Sequence, residues 1–428
     1  MRALYKFLII GAFAISFTEG TPVSDIGALS TAGTQVVGAN GSPAQLRGMS
    51  LFWNIAQEGG PYWNANVVDW LAEDWHANLV RASMAVEDSW GTDATLASGA
   101  YKGYLYDASW NQKMVETVVD AAIAKGIYVI IDWHSTWTTD NSNGKQDAAV
   151  TFFTAMATKY GTYPNVIYEI YNEPGGDDWS AIKTYAEKII PVIRAIDPDN
   201  LILVGTPSYS SRVDIAAADP LTGSNATNIA YSFHFYASEQ WHYDNYMTYA
   251  NTAMNSIPLF VSEWGLSQAS GDGTINTSYV ETFFNWMESK KLCWSAWSIS
   301  KKNESSAALY TTASTSGNWS NSDLRQSGTY LREKLRALNP EYTSSIPRHA
   351  SRNAMLGVTL QGSSLAVTAA GAGVLSAELL DLSGRSVKKL YRGNTAGGLR
   401  LSLAGFHGVY LVRVRQGAEQ ILKTIAIQ

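Results

Sequence analysis

Two apolar runs of this chain end in the same way. Val166-Ile-Tyr-Glu-Ile-Tyr leads into Asn172-Glu173-Pro174, and Pro258-Leu-Phe-Val leads into Ser262-Glu263-Trp264-Gly265. Each is a short stretch of the kind that forms a buried strand, each closes on a glutamate, and a proline or glycine stops it. Two carboxyl groups at strand tips, 90 positions apart in the chain, can do paired acid and base work if the fold sets them opposite one another. One gives a proton to a leaving oxygen while the other attacks carbon or activates water, and that is the chemistry that opens a glycosidic bond.

Setting two strand tips face to face is a demand on the whole chain. From Gly48 to Leu338, apolar strand patterns alternate with amphipathic helix patterns, the rhythm of a parallel sheet with helices outside it. In one unit Met114, Val115, Val118, Val119, Ala122 and Ile123 recur at helical spacing, Gly126 supplies a stop, and Tyr128-Val-Ile-Ile131 follows as a continuous buried strand. The same reading predicts strands near Arg47 to Ser50, Leu79 to Arg81, Tyr128 to Asp132, Val166 to Tyr171, Leu201 to Gly205, Ile229 to Phe233, Leu259 to Val261 and Trp294 to Trp297. Eight strands predict an α/β fold, a (β/α)8 TIM barrel, whose chemistry sits at the C-terminal ends of the strands. The polar and aromatic candidates fall at those ends.

With 428 residues, the chain has room for a barrel of roughly 250 to 300 residues and one further small domain. Its 15 Trp and 23 Tyr exceed what packing requires, and aromatic faces suit the apolar faces of neutral sugar rings. The net charge is −6, only 16% of residues are charged, and no basic cluster is seen, so nucleic acid is not an expected partner. The single cysteine, Cys293, excludes an intramolecular disulfide and reads as a small buried hydrophobe. No His-Glu-x-x-His or Cys pair is present, and Asp140-Asn-Ser-Asn-Gly144 lacks the remaining ligands of a calcium loop, so neither metal nor cofactor is expected.

At the N-terminus Arg2 and Lys6 precede the apolar run from Phe7 to Phe17, the layout of a signal peptide over residues 1–20. The run is too short for a permanent membrane anchor, so a secreted or cell-surface protein is expected, acting as a monomer. After a barrel domain at 24–338, the polar, proline-bearing segment 339–353 reads as a linker. Residues 354–428 alternate as short strands broken by glycine, which predicts a small all-β sandwich.

From about Gly27 to Leu338 the chain resembles glycoside hydrolase family 5, most closely the bacterial endo-β-1,4-glucanases of its subfamily 2. The likeness rests on several motifs in order: Arg47-Gly-Met-Ser-Leu, Val80-Arg81-Ala-Ser-Met, Tyr128-Val-Ile-Ile-Asp-Trp-His134, Tyr168-Glu-Ile-Tyr-Asn-Glu-Pro174, Phe233-His-Phe-Tyr236, Val261-Ser-Glu-Trp-Gly265 and Trp297-Ser-Ile-Ser-Lys-Lys-Asn-Glu-Ser-Ser-Ala-Ala308. The resemblance implies a retaining cellulase in which Glu173 is the acid/base and Glu263 the nucleophile. Arg81 and the Tyr236 hydroxyl would keep Glu263 ionised; Arg81 could instead seal the barrel rim by pairing with Glu87 or Asp88. Asn172 would hold a sugar 2-hydroxyl, and His134 and His234 would contact the sugar and orient Glu173. Trp297 would lie beneath the sugar at the cleavage point, with Trp53, Lys302 and Glu304 lining a more distant subsite.

The chain also departs from the family. Tyr209 stands where relatives carry a Trp after the fifth strand, and Ser238-Glu-Gln-Trp241-His242-Tyr243 replaces the usual Thr-His-Gly, so Trp241 would supply the missing stacking surface. The implied partner is a β-1,4-glucan such as cellulose or a soluble or mixed-linkage glucan; alternatives are a mannanase or xyloglucanase, or an inactive surface glycan-binding protein. The C-terminal segment resembles the sorting domains of type IX (Por-like) secretion substrates, through Asp381-Leu-Ser-Gly-Arg385, Gly408-Val-Tyr-Leu-Val-Arg413 and Lys423-Thr-Ile-Ala-Ile-Gln428. An accessory glycan-binding module is the alternative, although this segment has no Trp for stacking.

Overall fold

The computed structural model describes residues 18–87, 102–136, 138–139 and 144–343, together with most of 357–427. The expected signal segment lies outside these up to residue 17, as do Asp88, the Asp140 to Asn143 stretch, much of the expected linker and residues 382–384 and 428 of the sorting motifs. The chain divides into two compact units, Met1–Thr343 and Ser344–Gln428.

In the first unit eight parallel strands close into a barrel: β1 (Arg47–Leu51), β2 (Leu79–Ala85), β3 (Tyr128–His134), β4 (Val166–Glu169), β5 (Ile202–Val204), β6 (Ile229–Tyr236), β7 (Leu259–Gly265) and β8 (Trp294–Ile299). Each pairs with the next and β8 returns to β1, with Trp294 opposite Arg47. A helix follows every strand: α1 (Ala65–Glu73), α2 (Ala108–Lys125), α3 (Lys145–Tyr160), α4 (Trp179–Arg194), α5 (Val213–Ala218), α6 (Gln240–Ala253), α7 (Thr277–Ser289) and α8 (Gln326–Leu338). Four of them start on a side chain that caps a free backbone N–H: Asn64, Asp107, Asp178 and Asn276. Gly126 ends α2 at φ 66°, a left-handed conformation that glycine adopts without steric cost.

Side chains alternate across each strand, and this period of two carries the polar residues inward. On β3, Val129, Ile131 and Trp133 join the cluster between strands and helices, whereas Tyr128 and Ile130 join a second, inner cluster. Leu79, Ile167, Leu203, Ala230 and Phe260 complete that inner layer, closed by Leu29, Val36 and Ala44 from the N-terminal segment. One step further toward the C-terminal ends, the same inward rows turn polar: Arg81 after Leu79, Asp132 after Ile130, Glu169 after Ile167 and Ser232 after Ala230, all fully buried. The barrel thus has an apolar floor with a charged layer directly above it.

Four strands run well past their apolar patterns, β2 to Ala85, β3 to His134, β6 to Tyr236 and β7 to Gly265, whereas β4 stops at Glu169, short of Tyr171, and β5 spans only Ile202–Val204. The polar residues at the ends of the four longer strands mask the strand pattern in the sequence. Arg81 is therefore the third of seven strand residues and lies deep in the barrel, not at its rim. After α8, Asn339 is buried and accepts from the Arg47 guanidinium at 3.0 Å, and Tyr342–Thr343 pairs in parallel with Thr18–Glu19.

The described residues of the second unit form seven antiparallel strands in two sheets: β9 (Gly357–Gln361), β10 (Ser364–Thr368) and β13 (Leu399–Ser402) in one, and β11 (Gly373–Leu380), β12 (Ser386–Thr395), β14 (Gly408–Gln416) and β15 (Glu419–Ile427) in the other. Val358, Leu365 and Val367 from the first sheet share a core with Leu375, Leu379, Val412 and Val414 from the second, which makes a small sandwich.

Candidate active site

A cavity of about 440 Å³ opens at the C-terminal ends of the barrel strands, and Glu173 and Glu263 both line it. An oxygen of Glu173 lies within 4.8 Å of an oxygen of Glu263, with a ring nitrogen of His234 equally near. Carboxyl groups about 5 Å apart leave no room for a water between the second carboxylate and the anomeric carbon, unlike pairs separated by roughly 6.5 to 9.5 Å.

Glu263 reaches the centre through a distortion. Ser262 and Glu263 are neighbours on β7, yet both contact groups inside the barrel; the register of β7 shifts against both β6 and β8 around them. This irregularity lets the Ser262 hydroxyl meet His234 at 2.8 Å while Glu263 meets Arg81. Both carboxylate oxygens are taken: Oε2 accepts from Arg81 Nη1 and Oε1 from the Tyr236 hydroxyl, each at 2.7 Å. Burial pushes the Glu263 carboxyl up, but Arg81 and then His234 outweigh it and hold the group below its ordinary value. The Tyr236 hydroxyl, pushed well above its usual range by burial and by Glu263, remains a donor.

Arg81 is fully buried and uses its fork in three further directions. Nε donates to Glu169 at 2.7 Å, and Nη2 lies 2.6 Å from the Asn172 side-chain oxygen and 2.9 Å from Asp132. The pairing with Glu87 or Asp88 considered above does not occur for Glu87, which lies 2.8 Å from Lys145 instead. Burial pushes Glu169 up, but Arg81 and His234 hold it well below its ordinary value; for Asp132 burial prevails and its carboxyl sits above the usual range. These two carboxylates were missed as site residues, because a Glu and an Asp within strand patterns carry no signal of what they face.

On the other side of the cavity His234 Nδ1 stands 3.0 Å from Glu173 Oε1, and its Nε2 side faces Ser262 with Glu169 behind it at 3.7 Å. Burial lowers the imidazole's affinity for its proton, but hydrogen bonds to Glu169 and Glu173 and the charge of Glu263 more than compensate and raise it to about 9. Only His234, not His134, takes up the expected orienting contact with Glu173. His134 accepts from the Trp53 indole through Nε2 at 2.8 Å, which leaves Nδ1 to donate to Asp132 at 2.7 Å. Its ring stacks with Trp297 at 5.6 Å and 12°. The spacing of these residues in the sequence could not show that Asp132, two positions earlier on the same strand face, would capture it.

Asn172 is fully buried; its side-chain oxygen is held by Arg81, and its Nδ2 is a buried donor with no protein partner. Trp53, Trp297, Lys302 and Glu304 line the cavity as expected, with Lys302 paired to Glu304 at 2.7 Å and lying over the rings of Phe52 and Trp53 at 5.2 and 5.9 Å. Tyr209 lines it too, half exposed and at φ 61°, between Ser208 and Ser210 that also adopt positive φ. A side chain at Gly175 would meet the Tyr209 ring at 3.0 Å, so the ring is seated against that glycine.

Trp241 does not line the cavity and is 60% exposed. It is the second residue of α6, where neighbouring residues diverge by about 100°, and the face turned to the cavity carries His242 and Tyr246, one turn apart and stacked at 4.0 Å. His242 Nδ1 accepts from the backbone N–H of Tyr236 at 2.9 Å, and burial depresses its pKa to about 4. Neither residue was singled out in the sequence; their own i, i+4 spacing, one helical turn, is the signal that pairs them.

Among the described residues, the one group whose atoms lie close enough to hold a metal ion is Glu173, His234 and Glu263, all already engaged with one another, Arg81, Tyr236 or Ser262.

A folded-state value near 9 for His234 makes stability pH-dependent. The contribution of its proton is whole below the ordinary 6.5 and is lost as pH rises from there through about 9. The stability advantage of the wild type over a His234→Asn variant is therefore expected to shrink across that window in urea unfolding, and the imidazole nitrogens to titrate near 9 by NMR. A titration near 6.5 would contradict the ring's three carboxylate neighbours.

The sequence profile of the family described as Cellulase (glycosyl hydrolase family 5) matches residues 37–303. An endoglucanase of Clostridium saccharobutylicum is 39% identical over 337 residues, covering 77% of this chain and 69% of that protein. Endoglucanase Z of Dickeya dadantii is 44% identical over 266 residues, or 61% of this chain and 58% of its own length. Thus the chain spans little more than half to about two thirds of these relatives. Among solved structures, the catalytic domain of endoglucanase Cel5A from Thermobifida fusca superposes with a TM-score of 0.66 at 36% identity, covering 74% of this chain and 99% of that domain. A variant of the same domain, solved with cellotetraose, superposes equally well.

Proposed function

The chain belongs to glycosyl hydrolase family 5, and from this membership and the site geometry we propose that it is a secreted, retaining endo-β-1,4-glucanase acting on cellulose or soluble β-1,4-glucan. The observation that carries the reading is the close carboxyl pair with unequal surroundings: Glu263 between Arg81 and the Tyr236 hydroxyl, Glu173 beside His234. A carboxylate held ionised by a guanidinium is a nucleophile, and the neighbouring carboxyl group is the acid.

In the first step Glu263 attacks the anomeric carbon, the bond to the leaving oxygen breaks, and that oxygen takes the Glu173 proton. The product is a glycosyl ester on Glu263. With that charge consumed, Glu173 removes a proton from water, which attacks the same carbon and releases sugar of the original β configuration. The buried Nδ2 of Asn172 is placed to bond the sugar 2-hydroxyl, and Trp297 offers a ring face beneath the reacting sugar. Endo action and glucan preference are supported by the names of the relatives and by the cellotetraose bound to the Thermobifida domain variant. The likeness to subfamily 2 rests on the order of the motifs quoted above.

The N-terminal layout supports export, and no helix among the described residues is long and apolar enough to cross a membrane. For the C-terminal sandwich we retain the sorting role that its motifs suggest. The deciding experiment compares reducing-end release from carboxymethylcellulose and from galactomannan, with the first-formed anomer read by proton NMR. Rapid release from the former with β product is expected. Preference for galactomannan would move the chain to the mannanase alternative, and α product would overturn retention.

A further inference from the structure

The two units carry opposite charge. Residues 344–428 hold 10 Lys and Arg against 3 Asp and Glu, a net of +7, while residues 1–343 hold 21 against 34, a net of −13; together they make the −6 of the chain. The balance of the whole molecule hides this division, and the absence of a basic cluster inferred from the sequence does not hold once the strands are paired.

Pairing gathers the cations. On β11 Ser376 stands opposite Arg392 of β12 on one side and Arg415 of β14 on the other. Two residues along, Glu378 stands opposite Lys389 and Arg413 in the same way. Lys389, Arg392 and Arg415, all three exposed, and Arg413, 2.9 Å from Glu378, set four cations against one carboxylate on this face, a net of +3. The surface is concave here: a groove of about 360 Å³ is lined by the three exposed cations with Ser376, Glu378 and Tyr391.

We propose that this groove binds a polyanionic polysaccharide bearing uronate carboxylates. Arginine forks match carboxylates in two-point contacts. Arg392 and Arg415 are two strand spacings apart, about 10 Å between backbones, so a chain with repeated carboxylates gives each fork a carboxylate of its own, whereas a single carboxylate offers a two-point contact to only one of them. A hydroxyl and a tyrosine ring in a concave site suit sugar rings, whereas a flat anionic membrane surface is met by protruding cations with apolar neighbours. A second site of this kind would hold the catalytic unit near a matrix that contains both neutral and acidic glycans, raising the local substrate concentration through the connecting chain. The inference does not rest on the reading of the barrel cavity.

The test uses the full chain and polygalacturonate as the probe, in affinity electrophoresis and calorimetry. Binding is expected to polygalacturonate and not to its fully methyl-esterified form, and to be lost at about 1 M NaCl, where the screening length falls to about 3 Å. Arg392→Glu and the milder Arg392→Gln are expected to weaken it about tenfold or more. Arg400→Glu, which makes the same charge change on the opposite sheet, is expected to change it little. Hydrolysis of soluble β-glucan by every variant is expected to match the wild type, which shows that the barrel is folded, and an unchanged pattern of backbone amide NMR shifts away from the substituted strand shows that the sandwich is folded. Equal losses for Arg392→Glu and Arg400→Glu, equal binding of the esterified polymer, or binding to phosphatidylglycerol vesicles without binding to polygalacturonate would each overturn the proposal.

Discussion

Glu263→Ala is expected to lower kcat on β-glucan on the order of 10⁴- to 10⁶-fold, because no other group can form the ester; a loss of 10⁵-fold corresponds to about 7 kcal/mol of barrel-held transition-state stabilisation. The truncated side chain leaves space where azide can enter, so with an activated aryl β-glucoside the variant should recover turnover and release the α-glycosyl azide. Glu173→Ala should behave differently. Its loss, about 10²- to 10⁴-fold on cellulose, should largely vanish for the formation of the glycosyl ester from an aryl glycoside whose leaving group needs no proton. Azide should then give the β-glycosyl azide. The two products of opposite configuration separate the roles: β azide from Glu263→Ala together with α azide from Glu173→Ala would show that the nucleophile and acid have been assigned to the wrong carboxyl groups.

Arg81→Met is expected to destabilise the fold by about 3 to 5 kcal/mol at neutral pH, since it leaves Asp132, Glu169 and Glu263 buried without their common cation. The pH dependence makes the cause recognisable. In the wild type Glu169 and Glu263 titrate below their ordinary values, so their contribution to stability is present above the unfolded carboxylate range and is lost as pH falls through the folded values. Asp132 titrates above its ordinary value and works in the opposite sense. Without Arg81 the largest opposing charge is lost at all three, leaving His234 beside Glu169 and Glu263 and His134 beside Asp132, and each is pushed upward. The stability gap between wild type and variant, measured by urea unfolding, should therefore narrow toward pH 3.5 and widen steadily toward pH 7. A gap that is the same at both ends would point to lost packing instead of lost charge. Arg81→Lys should fall between them, as it keeps one positive charge but not the fork that reaches four partners.

His134 and His234 show where a sequence reading of this site succeeds and fails. Both follow apolar strand patterns, and both were expected to attend Glu173. Which one does so depends on what faces it across the barrel: β3 offers His134 the carboxylate of Asp132, whereas β6 leaves His234 open toward Glu173. Trp241 illustrates the same limit on a helix. Its aromatic character suggested a stacking wall, but the turn of α6 gives that place to His242 and Tyr246.

The number and order of the strands, the helices between them and the placement of both catalytic candidates at strand ends could be read from the chain because they depend on local pattern: the period of two along a strand, the period of 3.6 along a helix, and the residues that stop each. Tertiary structure alone decided which buried carboxylates share Arg81, how a register shift in β7 turns both Ser262 and Glu263 inward, and that three cations from two separate strands line one groove in the second unit. Periodicity specifies the side of its own strand on which a residue lies, but its partners come from strands tens of positions away. Their identity follows from strand register and barrel closure, which the packing of the whole core sets.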